Sequence, residues 1–334
     1  MGLKIGINGF GRIGKLVARA ALEEGDIEIV GINDLMTPAQ IAHAMKYDTT
    51  QGRFNGTVQA SDTSVSFNNM EIPVTAIKDP AEIPWKQYGA EMVLESTGIF
   101  ATAELLQKHV AAGAKKVLLS VPPKDKSGEI KIIVYGVNHD TLDADCRFVS
   151  NASCTTNSLA PMVKVLHDSF GVERGVMTTI HSVTNDQRVL DQVHKDPRRA
   201  RSGCFNIIPT TTGAARAVGK VIPELNGLLN GIAIRVPTPT GSVTDFVATL
   251  KKKVTVEEVN QALKTAAEGA LKGIMEYSEE PLVSSDIIHH PASAIIDGGS
   301  TLVMDNNMVK VLSWYDNEWG YSNRCIDLFR LMAK

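Results

Sequence analysis

Over the first 150 positions, apolar residues fall in short runs separated by helical patterns. Leu3–Asn8 and Ile27–Asn33 are apolar runs of strand length, and between them residues 13–24 repeat their apolar positions at helical spacing. Strand, helix and strand in that order predict a parallel βαβ unit. Candidate strands at residues 91–95 and 116–121, bracketing a helical stretch at 102–112, continue the rhythm. An α/β fold follows, whose first domain, residues 1–150, is a doubly wound parallel sheet of the Rossmann type. After Asn151 the rhythm changes. A helix starting near Cys154 precedes candidate strands at 175–180, 231–236, 244–251, 300–304 and 308–315, with few crossover helices between the later ones. This predicts an α+β second domain, residues 151–317, with a mixed or antiparallel sheet and helices such as 256–271 on one face. The helical pattern at 318–334 is expected to pack back on the first domain.

Composition narrows the function classes. A chain of 334 residues suits about two domains, and 43% hydrophobic residues suffice for a core in each. A formal net charge of −3, with both signs interspersed, offers no polybasic face for nucleic acid. No apolar run approaches the ~18 residues that span a bilayer, and the start, from Met1, reads as a strand and not as a signal peptide. A soluble, cytoplasmic protein is expected. The four cysteines, Cys146, Cys154, Cys204 and Cys325, form no CxxC pair and lack the density of a disulfide scaffold. They read as free thiols, and no metal is expected.

Gly9-Phe10-Gly11-Arg12-Ile13-Gly14 matches GxGxxG directly after a strand and at the start of a helix. In that context the glycines permit a tight turn and close backbone approach, so the N–H groups and positive dipole end of the helix can face a pyrophosphate. Asp34 ends the second strand, 25 residues beyond Gly9. A carboxylate there accepts hydrogen bonds from an adenosine ribose and repels a 2′-phosphate, favouring NAD over NADP. The plainer reading is a tight turn with Asp34 capping the segment after it.

Small polar residues in Ser150-Asn151-Ala152-Ser153-Cys154-Thr155-Thr156-Asn157 lead into the apolar helical run 159–166. Cys154 therefore stands at a helix N-terminus, where the dipole and free N–H groups are expected to lower its pKa and to hold an oxyanion. Buried structural cysteines are common, so this position alone leaves that alternative open. Of the eight histidines, His181 ends a strand and begins a polar loop, the placement expected of a base; His167 and His43 read as structural. The stretch from His181 to Ile207 carries several arginines and is too long for an ordinary connection, hence either functional or a solvated charged loop.

With these motifs in hand, the chain resembles the phosphorylating glyceraldehyde-3-phosphate dehydrogenases from end to end. The resemblance rests on residues 7–14 and 150–157, on Ile207-Ile208-Pro209-Thr210-Thr211-Thr212-Gly213-Ala214-Ala215, and on Trp314-Tyr315-Asp316-Asn317-Glu318-Trp319-Gly320-Tyr321. It implies that Cys154 is the nucleophile and His181 its base. It further implies that Thr184, Asp186 and Arg235 hold the substrate C3 phosphate, and that Ser153, Thr155, Arg199, Thr212 and Gly213 hold inorganic phosphate. Asn317 corresponds to the residue that binds the nicotinamide carboxamide, and Gly9, Gly11, Arg12, Ile13, Gly14, Asp34, Lys78 and Ser120 to further NAD contacts. Spacing leaves open which of Arg198, Arg199 and Arg201 reaches phosphate.

Three positions depart from the family pattern. Val183 replaces an aromatic, Ser158 a frequent second cysteine, and Gln192-Val193 a frequent Leu-Pro. The last pair lies near the adenosine ribose of a neighbouring subunit in family members, which keeps use of NADP open. The resemblance implies glyceraldehyde 3-phosphate and inorganic phosphate as partners, NAD as cofactor, and a homotetramer with the 181–207 loop near an interface. Erythrose-4-phosphate dehydrogenase and semialdehyde dehydrogenase use similar groups; a non-catalytic NAD-binding scaffold is the alternative outside enzymes.

Overall fold

A computed structural model describes residues 2–125 and 127–334; Met1, with which the opening strand pattern begins, lies outside them. The chain divides into two units, one of Met1–Ile133, His139–Ala152 and Ser322–Lys334, the other of Val134–Asn138 and Ser153–Tyr321. None of the described helices is long and apolar enough to cross a membrane.

The first unit is built on β1 (Leu3–Asn8), β2 (Ile27–Asn33), β3 (Val58–Ala60), β4 (Ser64–Phe67), β5 (Met70–Thr75), β6 (Met92–Glu95), β7 (Lys116–Leu119), β8 (Lys131–Ile132) and β9 (Phe148–Ser150). Among the described residues they form one sheet in the order β3-β4-β5-β2-β1-β6-β7-β9-β8. From β5 to β8 the pairings are parallel. All four residues of β6 and the last four of β1 are buried, as strands covered on both faces must be. That explains continuous apolar runs in place of alternation. Its helices are α1 (Arg12–Glu24), α2 (Pro38–Lys46), α3 (Trp85–Tyr88) and α4 (Ala103–Ala111); α1 carries the chain from β1 to β2 on one side, and β6 pairs with the other edge of β1. The order of connection thus reverses at β1, and the crevice beyond its carboxyl end is where doubly wound folds take ligands. The antiparallel extension β3-β4-β5 was not expected from sequence, because strands of three to six residues with polar positions resemble loops.

The second unit contains β10 (Val172–Ser182), β11 (Ile208–Thr211), β12 (Leu229–Val236), β13 (Ser242–Leu250), β14 (Met275–Ser278), β15 (Ala294–Met304) and β16 (Met308–Tyr315). Their order among the described residues is β11-β12-β10-β13-β16-β15-β14. Parallel pairs β10·β12 and β14·β15 sit among antiparallel ones, the mixed sheet that the sequence predicts. The strand expected at 300–304 begins instead at Ala294, and its register shifts between Asp297 and Leu302, where Gly298-Gly299 masks the strand pattern. A Cβ on Gly298 would lie 2.2 Å from the Tyr277 hydroxyl, so this glycine admits the ring. Helix α5 (Cys154–Phe170) packs on β10, β13, β15 and β16, and α7 (Val256–Glu268) on β14 and β15.

Candidate active site

Cys154 is the first residue of α5. Ser153 caps that helix, its Oγ accepting from the Thr156 N–H at 3.1 Å, and Ala152 before it takes a left-handed φ of 51°. The helix therefore begins abruptly, leaving its first N–H groups around the half-buried thiol. Strand β10 supplies the partner. Successive residues of a strand face opposite ways, so Met177, Thr179 and His181 share the buried face while Val176 is exposed. His181 Nε2 lies 3.4 Å from Cys154 Sγ, and its Nδ1 lies 2.7 Å from the Ser182 carbonyl oxygen. With its proton on Nδ1, His181 satisfies that carbonyl and its Nε2 accepts from the thiol; the Arg235 guanidinium, which can only donate, then shares the Ser182 carbonyl with Nδ1 and does not bond to Nδ1 itself.

Electrostatics at this pair correct one expectation. The helix start was expected to lower the Cys154 pKa. With His181 neutral, burial pushes the thiol up, and this outweighs the opposing Arg235 charge and the hydrogen bonds from Thr155. Burial and then Arg235 pull His181 down to about 3, against the Ser182 carbonyl. Neither group is favoured as an isolated ion. Moving the Sγ proton to Nε2 creates opposite charges in contact, so the thiolate is made together with the imidazolium, and activation rests on His181 more than on the helix end.

The remaining thiols contrast with this one. Burial pushes up both Cys146 and Cys325, the latter to about 12. Cys204 is exposed.

Arg235, on β12, is the parallel-register neighbour of His181. Its Nη1 contacts His181 Nδ1 and donates to the Ser182 carbonyl at 3.1 Å, while its buried Nε finds no acceptor among the described residues. A buried guanidinium with an unused donor suits an anion. The loop arginines separate clearly. Arg199 donates from Nε to Thr210 Oγ1 at 2.8 Å and from Nη2 to the Thr211 carbonyl at 3.1 Å, whereas Arg201 turns to Asp191 at 2.6 Å. Arg199 is thus held against Thr210 and Thr211, which lead in sequence to Thr212 and to Gly213, the residue that precedes helix α6 (Ala214–Val221). Asp186 pairs with Arg199 and, at 3.3 Å, with His194 Nε2. A carboxylate has no hydrogen to offer a phosphate, so its visible part is to hold Arg199. The Thr184 hydroxyl donates to Gln187 Oε1 at 3.0 Å and the Thr212 hydroxyl accepts from the Ala214 N–H at 3.2 Å.

Several groups escaped the sequence reading. The buried Tyr315 hydroxyl is 2.9 Å from both Thr155 Oγ1 and Thr179 Oγ1, and its ring stands edge-on to His181. The Thr155 hydroxyl is therefore turned inward, away from the role expected of it. Asn317 Oδ1 accepts from Ser182 Oγ, Ser242 Oγ and Thr240 Oγ1 at 2.8, 2.9 and 3.3 Å, which fixes the amide orientation. Ser158, at the site of the absent second cysteine, pairs at 3.0 Å with Ser313.

In the first unit Gly9 has φ +93°, and a Cβ there would lie 2.8 Å from the Thr97 nitrogen. A Cβ on Gly14 would lie 2.0 Å from the Gly9 carbonyl oxygen, so only glycine allows the turn and helix to pack this closely. Asp34 accepts from the Phe10 N–H at 2.6 Å and the Met36 N–H at 2.9 Å, which places its carboxylate at this turn. Arg12 directs its guanidinium to Asp48 and Thr50, at 2.5 and 2.6 Å, so what it and Ile13 offer a ligand is backbone N–H at the start of α1. Ser120 is buried just after β7, and Lys78 is exposed. Close glycine packing, a helix N-terminus and a carboxylate at the end of the second strand fit a dinucleotide.

Comparison with known proteins gives the family. Residues 3–103 match the family described as glyceraldehyde 3-phosphate dehydrogenase, NAD binding domain, and residues 153–317 the one described as its C-terminal domain. The chain is 57% identical over 331 residues to glyceraldehyde-3-phosphate dehydrogenase 1 of Bacillus cereus, covering 99% of this chain and 98% of that protein. It is 56% identical over 334 residues to glyceraldehyde-3-phosphate dehydrogenase of Geobacillus stearothermophilus, covering 100% and 99%. A Rossmann-type unit with a dinucleotide turn, a mixed-sheet unit that carries the thiol, and a match over the full length make this chain a member of the glyceraldehyde-3-phosphate dehydrogenase family, with NAD as its cofactor.

Proposed function

We propose that the chain oxidises glyceraldehyde 3-phosphate to 1,3-bisphosphoglycerate, with NAD and inorganic phosphate as co-substrates, through a thioester on Cys154. The observation that carries this reading is a helix-terminal thiol 3.4 Å from a histidine nitrogen free to accept its proton, with the Arg235 guanidinium alongside. Cys154 Sγ bonds to the aldehyde carbon as its proton passes to His181 Nε2, and that proton completes the hydroxyl of the thiohemiacetal. His181 then takes the hydroxyl proton back as the carbon is oxidised, leaving a thioester. NAD, when bound, supplies the hydride acceptor for this oxidation. Phosphate oxygen attacks the thioester carbonyl, the C–S bond breaks, and the acyl phosphate leaves while sulfur regains its place beside His181. Covalent capture preserves the free energy of aldehyde oxidation until phosphate collects it.

Arg235 serves the C3 phosphate in this account, and Arg199 with Thr212 and Gly213 the attacking phosphate. Arg235→Ala is expected to lower kcat/KM for glyceraldehyde 3-phosphate about 10²-fold, the scale of a lost charge-assisted pair, with a much smaller loss on unphosphorylated glyceraldehyde. Equal losses on the two substrates would contradict the assignment. Asp34 presents a carboxylate where a 2′-phosphate would lie, a like-charge contact that costs several kcal/mol. NADP should therefore give a kcat/KM far below that of NAD, and similar values would shift attention to Gln192-Val193.

A homotetramer in the cytoplasm completes the reading. Val189, Leu190, Val193, Phe205 and Ile207 are 69 to 89% exposed on the arginine-bearing loop, an apolar surface that favours a protein partner over water. NADH formation with glyceraldehyde 3-phosphate, erythrose 4-phosphate and aspartate semialdehyde, each with and without phosphate, tests the substrate. Phosphate-dependent turnover greatest with the first is expected, and preference for either of the others overturns the proposal.

A further inference from the structure

Beneath the glycine turn, β1 and β6 end side by side, with Asn8 and Glu95 in register. Glu95 and His109 are fully buried. Glu95 Oε2 receives Asn8 Nδ2 at 2.6 Å and His109 Nε2 at 3.0 Å, and Oε1 receives the Thr97 N–H at 2.8 Å and the Thr97 hydroxyl.

The directions of the bonds that His109 and Asn8 make to Glu95 are fixed from the two ends of this network. At one end the Trp85 indole N–H, which can only donate, points at His109 Nδ1 at 3.0 Å, so the histidine carries its hydrogen on Nε2. At the other, Asn33 Oδ1 accepts from the Ile77 N–H and Asn33 Nδ2 donates to the Ile77 carbonyl, both at 2.9 Å. Asn33 Nδ2 also donates to Asn8 Oδ1 at 2.8 Å, which forces Asn8 Nδ2 toward the carboxyl group. Glu95 therefore faces donors only, four of them among the described residues, matching the four lone-pair sites of a carboxylate.

Three of those donors, on two residues, flank the turn. Asn8 immediately precedes Gly9, and Thr97 is the residue against which a Cβ on Gly9 would collide. Between them Ser96 Oγ donates to the Gly9 carbonyl at 2.6 Å.

We propose that Glu95 is a positioning residue for the dinucleotide: by holding Asn8 and Thr97 it sets the gap into which the Gly9–Gly14 turn fits, without touching the ligand. The inference rests on that turn being the NAD site. Glutamine at position 95 would turn an NH₂ toward groups that are all donors, and the turn would relax. The expected result for Glu95→Gln is a Kd for NAD raised about 10- to 100-fold, the range for one mispaired buried group, with kcat at saturating NAD within about threefold of the parent.

A merely structural role would lower thermal stability and leave the Kd unchanged. His109→Leu and His109→Gln supply the second arm: removing the Nε2 donor should weaken NAD binding, and the glutamine amide, which can donate from a similar place, should restore it. This pair decides the matter if Glu95→Gln does not accumulate as folded protein. Gly9→Ala separates the two levels of the argument, since retained NAD binding in that variant would remove the turn from the site. Loss in Gly9→Ala together with unchanged NAD affinity in Glu95→Gln, or in both His109 variants, would overturn the role of Glu95 alone.

Discussion

Replacing Cys154 by serine is expected to lower aldehyde oxidation by on the order of 10⁴-fold or more, as removal of a covalent nucleophile does elsewhere. The hydroxyl is a far poorer nucleophile than a thiolate, and a serine ester is a poorer acyl donor to phosphate. Folding and NAD affinity should survive, because the glycine turn and Asp34 belong to the other unit and neighbouring Ser153 still caps α5. A variant retaining more than a few per cent of parental turnover would remove Cys154 from the mechanism.

His181→Asn should fail differently. Base catalysis contributes about 10²–10⁴-fold, so a slow enzyme that still forms thioester is expected. The thiol offers a sharper readout. Without the imidazole to take its proton, burial outweighs the Arg235 charge and the Thr155 hydrogen bonds at Cys154, and its thiolate should appear only above the ~8.5 of a free cysteine. Alkylation of Cys154 near neutral pH should slow markedly in His181→Asn and recover as pH rises. An unchanged pH profile for alkylation would mean that the helix N-terminus activates the sulfur by itself, against the balance described above.

Local signals were readable in the sequence to the degree that one stretch of chain carries them. Gly9 to Gly14 and Asp34 announce the nucleotide site because a turn, a helix start and a strand end are consecutive. Cys154 is legible because small polar residues lead into an apolar helix. His181 was one base candidate among several until family resemblance selected it, and β10 shows why: the alternation that aims residue 181 at α5 also aims Thr179 and Met177.

What stayed hidden depends on register between distant strands. Tyr315 reaches Thr155 and Thr179 because β16 and β10 flank β13, and no window of sequence contains that fact. Where Arg199 and Arg201 turn was equally undecidable from spacing, since it depends on Thr210, Thr211 and Asp191. Glu95 passed unnoticed as one residue of a short buried strand, although its four donors come from three separate segments.

Mass spectrometry of the protein mixed with glyceraldehyde 3-phosphate and NAD, in the absence of inorganic phosphate, tests the central claim most directly. Oxidation can then proceed to the thioester but not beyond it, so a 3-phosphoglyceroyl group should accumulate on the peptide containing Cys154 and disappear when phosphate is added. An acyl group on Cys146, Cys204 or Cys325, or NADH formed with no acylated peptide and no need for phosphate, would contradict the account.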